Sequence, residues 1–235
     1  MRSEITPPVA AVLAVVIFAA ALAGCGSSSP TGNGVASKSP IEIVASAKAA
    51  AAGAASAHVA GSIVDAGKPI SLDMELVAGK GGKGRISLEG LGIDLIQVNG
   101  TVYINGSPAF YRRVAGPAAA QLLQGKWLKA PASSGNFSSL ASLTNLGKLI
   151  DTTLASHGKL ASAGSTTVAG QQAVGVADLS KGGTLYVAST GSPYPLEIVK
   201  TGAGGGKIVF DRWNKAVTLA APANAVNINQ LQSGH

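Results

Sequence analysis

The sequence predicts an α+β domain built on an antiparallel sheet. Two groups of segments, at 58–105 and 164–219, alternate apolar and polar residues, which is typical of half-buried strands. The connections between successive strands are too short for repeated βαβ crossovers, so neighbouring strands are expected to be antiparallel. Helical segments precede the first group and separate it from the second.

The first strand group is predicted to be a meander of four or five strands. Its clearest strand is 69–78, in which apolar residues occupy every second position. The glycine-rich turn 79–84 leads to a second alternating segment at 85–89, and Asn99-Gly100 is a strong hairpin signal. The second group consists of short strands at 164–168, 171–178, 184–189, 196–200, 207–213 and 217–219.

Three helices are predicted before and between these strand groups. Residues 41–57 are rich in alanine, which favours a helix, and a short apolar helix is expected at 116–125. A third helix, capped by Asn136 or Ser138, continues to Leu154. Its apolar stripe consists of Leu140, Leu143, Leu146, Ile150 and Leu154.

The first 24 residues have the features of a bacterial lipoprotein signal peptide. Arg2 supplies a positive charge, and 9–23 is an unbroken apolar run. At about 1.5 Å per residue this run spans roughly 22 Å, less than the ~30 Å hydrocarbon core of a bilayer. The run ends in a motif that resembles a lipobox: Leu22, Ala23, Gly24 and the acceptor Cys25. The alternative is an uncleaved transmembrane anchor with an incidental cysteine.

Cys25 is the only cysteine of the chain, so neither an intrachain disulfide nor a cysteine-based metal site is possible. Acylation gives this residue a use in an exported protein. We therefore expect a signal peptide at 1–24, a lipidated cysteine with a flexible tether at 25–40, and a single domain at 41–235. The expected location is the extracytoplasmic side of a cell membrane or envelope.

Composition limits what the domain can bind. Hydrophobic residues make up 46% of the chain and aromatic residues only 4%, so a core or cavity is aliphatic. The net charge of +7 favours anionic lipid headgroups or acidic polymers as partners; alternatively, the lysines only keep an apolar protein soluble. Nucleic acid is not expected, because the basic residues are scattered without interleaved aromatic residues.

The sequence offers no catalytic motif. His58, His157 and His235 are far apart and have no paired spacing, so the first two are expected to be structural or solvated. There is no Gly-x-Ser-x-Gly nucleophile motif, and the Gly-Lys pairs lack the other residues of a phosphate-binding loop. We expect a protein that is not an enzyme and that needs neither a cofactor nor a metal.

A series of short motifs follows the lipobox and the tether in a characteristic order. They are Ser56-Ala57-His58, Gly100-Thr-Val-Tyr-Ile104, Gly125-Lys-Trp-Leu-Lys129, Val168-Ala-Gly-Gln-Gln-Ala-Val174, Gly183-Thr-Leu-Tyr-Val187, Ser192-Pro-Tyr-Pro-Leu196 and Ile208-Val-Phe-Asp-Arg-Trp213. In this order they resemble the LppX/LprAFG family of actinobacterial lipoproteins. The resemblance implies a half-open β-barrel, similar to LolA and LolB, whose curved antiparallel sheet is covered by helices. It also implies that an acylated lipid or glycolipid binds in a cavity between the sheet and the helices.

The apolar face of the predicted strands is the candidate cavity wall. Its residues are Ile70, Leu72, Met74, Leu76, Ile86, Leu88, Leu185, Val187, Leu196, Ile198, Ile208 and Phe210. From the residues alone, a solid core is the favoured interpretation of each of these side chains, and only the resemblance favours a cavity for the set.

Two functions therefore remain open from the sequence. The first is a monomeric, membrane-anchored lipoprotein that binds or transfers an acylated lipid. The second is a cell-envelope interaction or sensor module with a filled core and protein partners.

Overall fold

The computed structural model describes residues 32–135, 137–202, 204–228 and 230. The predicted signal peptide, its cleavage motif Leu22, Ala23 and Gly24, and the predicted lipidation residue Cys25 lie outside these ranges and stay predictions. Asn136, one of the two residues predicted to cap a helix, also lies outside them.

The described residues form four α-helices and one sheet of twelve strands. The helices are α1 (Pro40–Ala52), α2 (Pro108–Leu123), α3 (Phe137–Leu143) and α4 (Leu146–Ala155). The strands are β1 (Ser56–Asp65), β2 (Lys68–Val77), β3 (Gly81–Leu88), β4 (Leu91–Val98), β5 (Thr101–Gly106), β6 (Leu128–Pro131), β7 (Leu160–Val168), β8 (Gln171–Asp178), β9 (Thr184–Ala188), β10 (Pro195–Lys200), β11 (Gly206–Asp211) and β12 (Val226–Asn227).

The sheet is open, with the strand order β12-β6-β5-β4-β3-β2-β1-β11-β10-β9-β8-β7. Each half is a meander of neighbouring strands, and the pairing of β1 with β11 joins the two halves. The predicted fold class, an α+β half-open barrel, is thereby confirmed. The short pair of β12 with β6 is parallel, so the sheet is mixed rather than entirely antiparallel.

The helices lie on one side of the sheet, here called the helix-covered face. Helix α1 contacts α4 and strands β7 to β10, whereas α2 and α3 contact β4 and β5. Side chains from these helices and from alternate strand positions form one hydrophobic cluster, in which Ala47, Leu76 and Val102 are fully buried. The core therefore lies between the sheet and its helices.

Two glycines allow strands to approach each other closely in the middle of the sheet. A Cβ atom on Gly61 would lie 2.0 Å from the carbonyl oxygen of Lys207, and one on Gly84 would lie 2.0 Å from that of Asp73. Both glycines have positive φ, at +151° and +157° respectively. Glycine at such positions permits the local bending that a strongly curved sheet requires.

The first described residues pack on the domain, although the sequence places them in the flexible tether. The side-chain amide of Asn33 donates to the carbonyl oxygens of Ala188 and Gly191, at 3.0 Å each. Val35 is buried in the core cluster. Serine, glycine and proline predict a flexible segment but not where it lies. In the structure Val35 begins a short 3-10 helix, Val35–Ser37, and its burial holds this segment against the domain. The folded part therefore begins before residue 41.

The helix predicted to continue to Leu154 is two helices. Thr144 is fully buried between them, and its hydroxyl donates to the carbonyl oxygen of Ala141 at 2.8 Å. Asn145 then caps α4 by accepting a hydrogen bond from the backbone N–H of Lys148 at 2.9 Å. These local bonds compete with a continuous helix, which the apolar stripe alone predicted.

The strand predicted at 217–219 does not form. Strand β11, which precedes it, already has β1 on one side and β10 on the other, so it has no free edge for another partner. The chain instead crosses to β6, where the N–H of Val226 donates to the carbonyl oxygen of Trp127 at 2.8 Å.

Replacing Gly84 tests the close approach of β2 and β3. We expect Gly84→Ala to lower the free energy of unfolding by about 2–3 kcal/mol, because the new methyl group meets the backbone of β2. Urea unfolding measures the change. The matched control is Gly92→Ala on β4, whose Cβ would have nothing within 4 Å. Equal midpoints for the two variants would contradict this account of the sheet.

Candidate functional site

A cavity of about 480 Å³ lies on the helix-covered face, between strands β1 and β7 to β11 and helices α1 and α4. Ligand sites in proteins typically have volumes of roughly 300–1,000 Å³, so this space is large enough for a small molecule or a part of a lipid.

The floor of the cavity is aliphatic. Val176 pairs with Leu185, Leu185 with Ile198, and Ile198 with Ile208, so one row of side chains crosses four strands, β8 to β11. All four side chains line the cavity. None carries a polar group, so a ligand that lies on this floor is held by burial of apolar surface.

The roof of the cavity comes from the two helices and from the chain that follows them. Val44 of α1 and Leu154 of α4 line the cavity, and both belong to the core cluster. His157, which follows α4, lines the same side, whereas Leu160, the first residue of β7, lines the cavity from the sheet. The helices therefore form a second apolar wall opposite the sheet.

The cavity opens at one end of the sheet, here called the mouth end. Strand register brings three hairpin turns together there, namely β1–β2, β8–β9 and β10–β11. Ala66, Gly182 and Gly204, one from each turn, line the cavity and are exposed to solvent. Lys181 and Lys200 line the same opening.

Asp178 organises this opening through backbone hydrogen bonds. Its carboxylate accepts from the N–H groups of Lys181 and Ser180, at 2.9 Å each, and from that of Gly158 at 3.0 Å. The bond from Lys181, followed by that from Gly158, lowers the pKa of the Asp178 carboxyl below its usual value. The β8–β9 turn is thereby tied to the segment that follows α4.

The predicted wall residues fall into groups that differ in burial. Leu185, Ile198 and Ile208 line the cavity. Five others are buried in the core cluster: Met74, Leu76, Ile86, Val187 and Phe210. Leu72 packs against that cluster, Ile70 is half-buried, and Leu88 is 43% exposed in the β3–β4 hairpin. The two interpretations of this face, core and cavity, therefore hold in different parts of the sheet.

Leu196 does not belong to this face, which corrects its assignment to the wall. It packs with Ala173 and Ala188 in a separate cluster. The pairing of β10 with β9 shifts register between Pro195 and Glu197, and this irregularity interrupts the alternation that the sequence pattern assumed.

His58 has a structural position on the opposite face of the sheet. Its Nδ1 lies 2.6 Å from the carboxylate of Asp211, and its Nε2 lies 2.9 Å from that of Asp73. His58 therefore links β1 to both of its neighbours, as a structural histidine does. His157, by contrast, lines the cavity.

The described residues also bear on two other kinds of site. Within those residues, no group of three or more histidine, cysteine, aspartate or glutamate side chains is placed to hold a metal ion. No helix of the described part of the chain has the length and apolar character needed to cross a bilayer.

The pKa of Asp178 predicts a pH dependence. Because the folded-state pKa lies below the ordinary 3.8, the carboxylate stabilises the fold above that pH, and its contribution is lost as the pH falls through the folded-state value. We expect Asp178→Asn to lower the melting temperature at pH 6, since its amide group donates and cannot accept from all three N–H groups. Melting curves from pH 6 to pH 2 should show the difference from wild type shrinking below pH 3.8; a constant difference would contradict this role.

Comparison with known proteins identifies the fold. No protein-family model matches the chain, and no curated protein matches it. The solved structure of LprF from Mycobacterium bovis is similar, with a TM-score of 0.53 and 16% sequence identity over 79% of this chain and 97% of LprF. The lipoprotein LppX from Mycobacterium tuberculosis has a TM-score of 0.52 and 16% identity over 77% of this chain and 98% of LppX. The resemblance to LppX/LprAFG lipoproteins is thus confirmed at the level of structure: this chain has the fold of LprF and LppX.

Proposed function

We propose that the protein is a membrane-anchored lipoprotein that binds an acylated lipid in the cavity. The observation that carries the proposal is an aliphatic cavity between sheet and helices that opens at the mouth end. The shared fold with LprF and with the lipoprotein LppX supports the same function. Transfer of the lipid between membranes is the activity we expect such a carrier to have.

Burial of an acyl chain supplies the binding free energy without any polar contact. Each buried methylene contributes about 0.8 kcal/mol, so even part of a long chain is held. An acyl chain in the cavity has aliphatic side chains on two sides. They are Leu154 on the roof, and Leu185, Ile198 and Ile208 on the floor. No covalent step, cofactor or metal is required by this function.

The proposed anchor is Cys25, acylated after cleavage behind Gly24. Gly32 bridges Thr190, which follows β9 at the end of the sheet opposite the mouth. Residues 25–31 reach at most about 24 Å when fully extended. An acylated Cys25 would therefore hold the domain by the end away from the mouth and leave the opening accessible to a donor or acceptor.

A protein-binding function is the second candidate, and one observation favours it. Val114 and Leu122 of α2 are 59% and 58% exposed, so this helix presents two large aliphatic side chains to solvent. In that case α2 would contact an envelope protein and the cavity would stay empty.

Filling the cavity tests lipid binding. We expect Ile198→Trp to weaken binding of a fluorescent palmitate analogue at least about tenfold, because the indole occupies space above the floor. Binding is measured on residues 25–235 carrying Cys25→Ser. The control is Val199→Trp, the neighbouring residue on the other face of β10. Equal binding by the two variants, or wild-type protein that binds no acyl probe, would contradict the proposal.

Replacing Cys25 tests the anchor. In the native host, we expect metabolic labelling with an alkyne analogue of palmitate to mark the wild-type protein and not Cys25→Ser, because the thiol is the acceptor. Ser27→Ala, two residues away, is the control and should be labelled as wild type. Label on the Cys25→Ser protein, or none on the wild type, would rule out this residue as the lipidation site.

A further inference from the structure

We propose that the mouth of the cavity binds an anionic lipid headgroup through Lys181 and Lys200. This inference rests on the proposed lipid binding and specifies the class of lipid: one acyl chain in the cavity, joined to a phosphate, sulfate or carboxylate at the opening.

The two lysines come from different hairpins that meet at the mouth end. Lys181 lies in the β8–β9 turn, and Lys200 is the last residue of β10. Both line the cavity, and both are exposed to solvent. A Cβ atom on Gly182 would lie 3.7 Å from Cε of Lys200, so the side chain of Lys200 runs beside the turn that carries Lys181.

Neither lysine is neutralised by a close ion pair. Lys68, Lys83 and Lys207 each lie within 4.0 Å of a glutamate carboxylate. Among the described residues no such pair involves Lys181 or Lys200. The charge of Lys181 helps to lower the pKa of the Asp178 carboxyl, but no ion pair within 4.0 Å occupies either ammonium group in the described part of the chain.

Asp178 is the carboxylate that also lines the opening. Three backbone N–H groups, from Gly158, Ser180 and Lys181, already occupy its oxygens. Among the described side chains that line the opening, two ammonium groups therefore face one carboxylate whose hydrogen-bonding capacity is largely used, and these three groups together carry a net positive charge.

Lys181 is held in position and keeps free donors. Its Nζ donates to the hydroxyl of Ser156 at 2.6 Å, which ties the lysine to the residue after α4. An ammonium group has three donors, so two remain for a ligand oxygen. Hydrogen bonds from an ammonium group to an anionic oxygen are among the stronger ones in proteins.

The aliphatic floor ends where these lysines begin. On β9, Leu185 lies shortly after the turn residue Lys181, and on β10, Ile198 lies shortly before Lys200 at the end of the strand. An amphiphile with its chain on the floor therefore has its polar end at the rim. An uncharged headgroup would leave one of the two positive charges without a counter-charge, because Asp178 supplies a single negative charge.

Two lipids with the same acyl chain test the inference. Palmitoyl-lysophosphatidylglycerol is anionic and monopalmitoylglycerol is uncharged, and each competes with the fluorescent palmitate analogue for residues 25–235 carrying Cys25→Ser. We expect the anionic lipid to bind about tenfold more tightly. In the double variant Lys181→Gln/Lys200→Gln, the ratio of the affinity for the anionic lipid to that for the uncharged lipid should fall to near one. Its affinity for monopalmitoylglycerol should stay that of the wild type.

The control, Lys80→Gln/Lys215→Gln, removes two positive charges at the opposite end of the sheet. It should keep the wild-type ratio of the two lipid affinities. Equal affinity of the wild type for both lipids, or an unchanged ratio in the mouth variant, would overturn the headgroup site and leave lipid binding intact. Failure of both lipids to bind would overturn the proposed function with it. Inorganic phosphate that binds the same lysines, with no gain from an acyl chain, would overturn the lipid assignment in favour of a free anion.

Discussion

The pairing of β1 with β11 is the contact on which the rest of the structure depends. It joins two meanders that are separate in sequence into one sheet. On the helix-covered face Val59 lies opposite Phe210, and both are buried. On the other face His58 contacts Asp211, 153 residues away in the chain. Such a long-range contact has a large loop-closure cost, which is offset by burial on one face of the sheet and by the His58–Asp211 hydrogen bond on the other.

This pairing also determines where the cavity lies. Because β11 stands beside β1, Ile208 continues the aliphatic floor toward Leu72 and Ile86 through the register position of Gly61. Helix α1, with α4 packed against it, covers the β7–β10 side, and α2 and α3 cover β4 and β5. The same face is therefore a filled core at Met74 and an open space above Ile198. A ligand site arises where the helices leave the sheet incompletely covered.

The sequence predicted local features well and the assembly of distant ones less well. Alternation along β2 correctly identified the buried positions Met74 and Leu76, because strand periodicity depends on neighbouring residues alone. Leu196 was misplaced because the register shift beside Pro195 breaks that periodicity without changing the apolar pattern. No pattern in the sequence predicted the pair of lysines at the mouth, because Lys181 and Lys200 become neighbours only when two hairpins align. The stripe that predicted α4 did contain Leu154, a roof residue, but it gave no indication of what this side chain would face.

A crystal structure of the protein purified from its own host without detergent tests the central claim most directly. We predict continuous electron density for a hydrocarbon chain between Leu154 of the roof and Ile198 of the floor, with the polar end of the molecule at the mouth. The contradicting result is a cavity that is closed by Leu154, Leu185 and Ile208 packed against one another, with no space between helices and sheet.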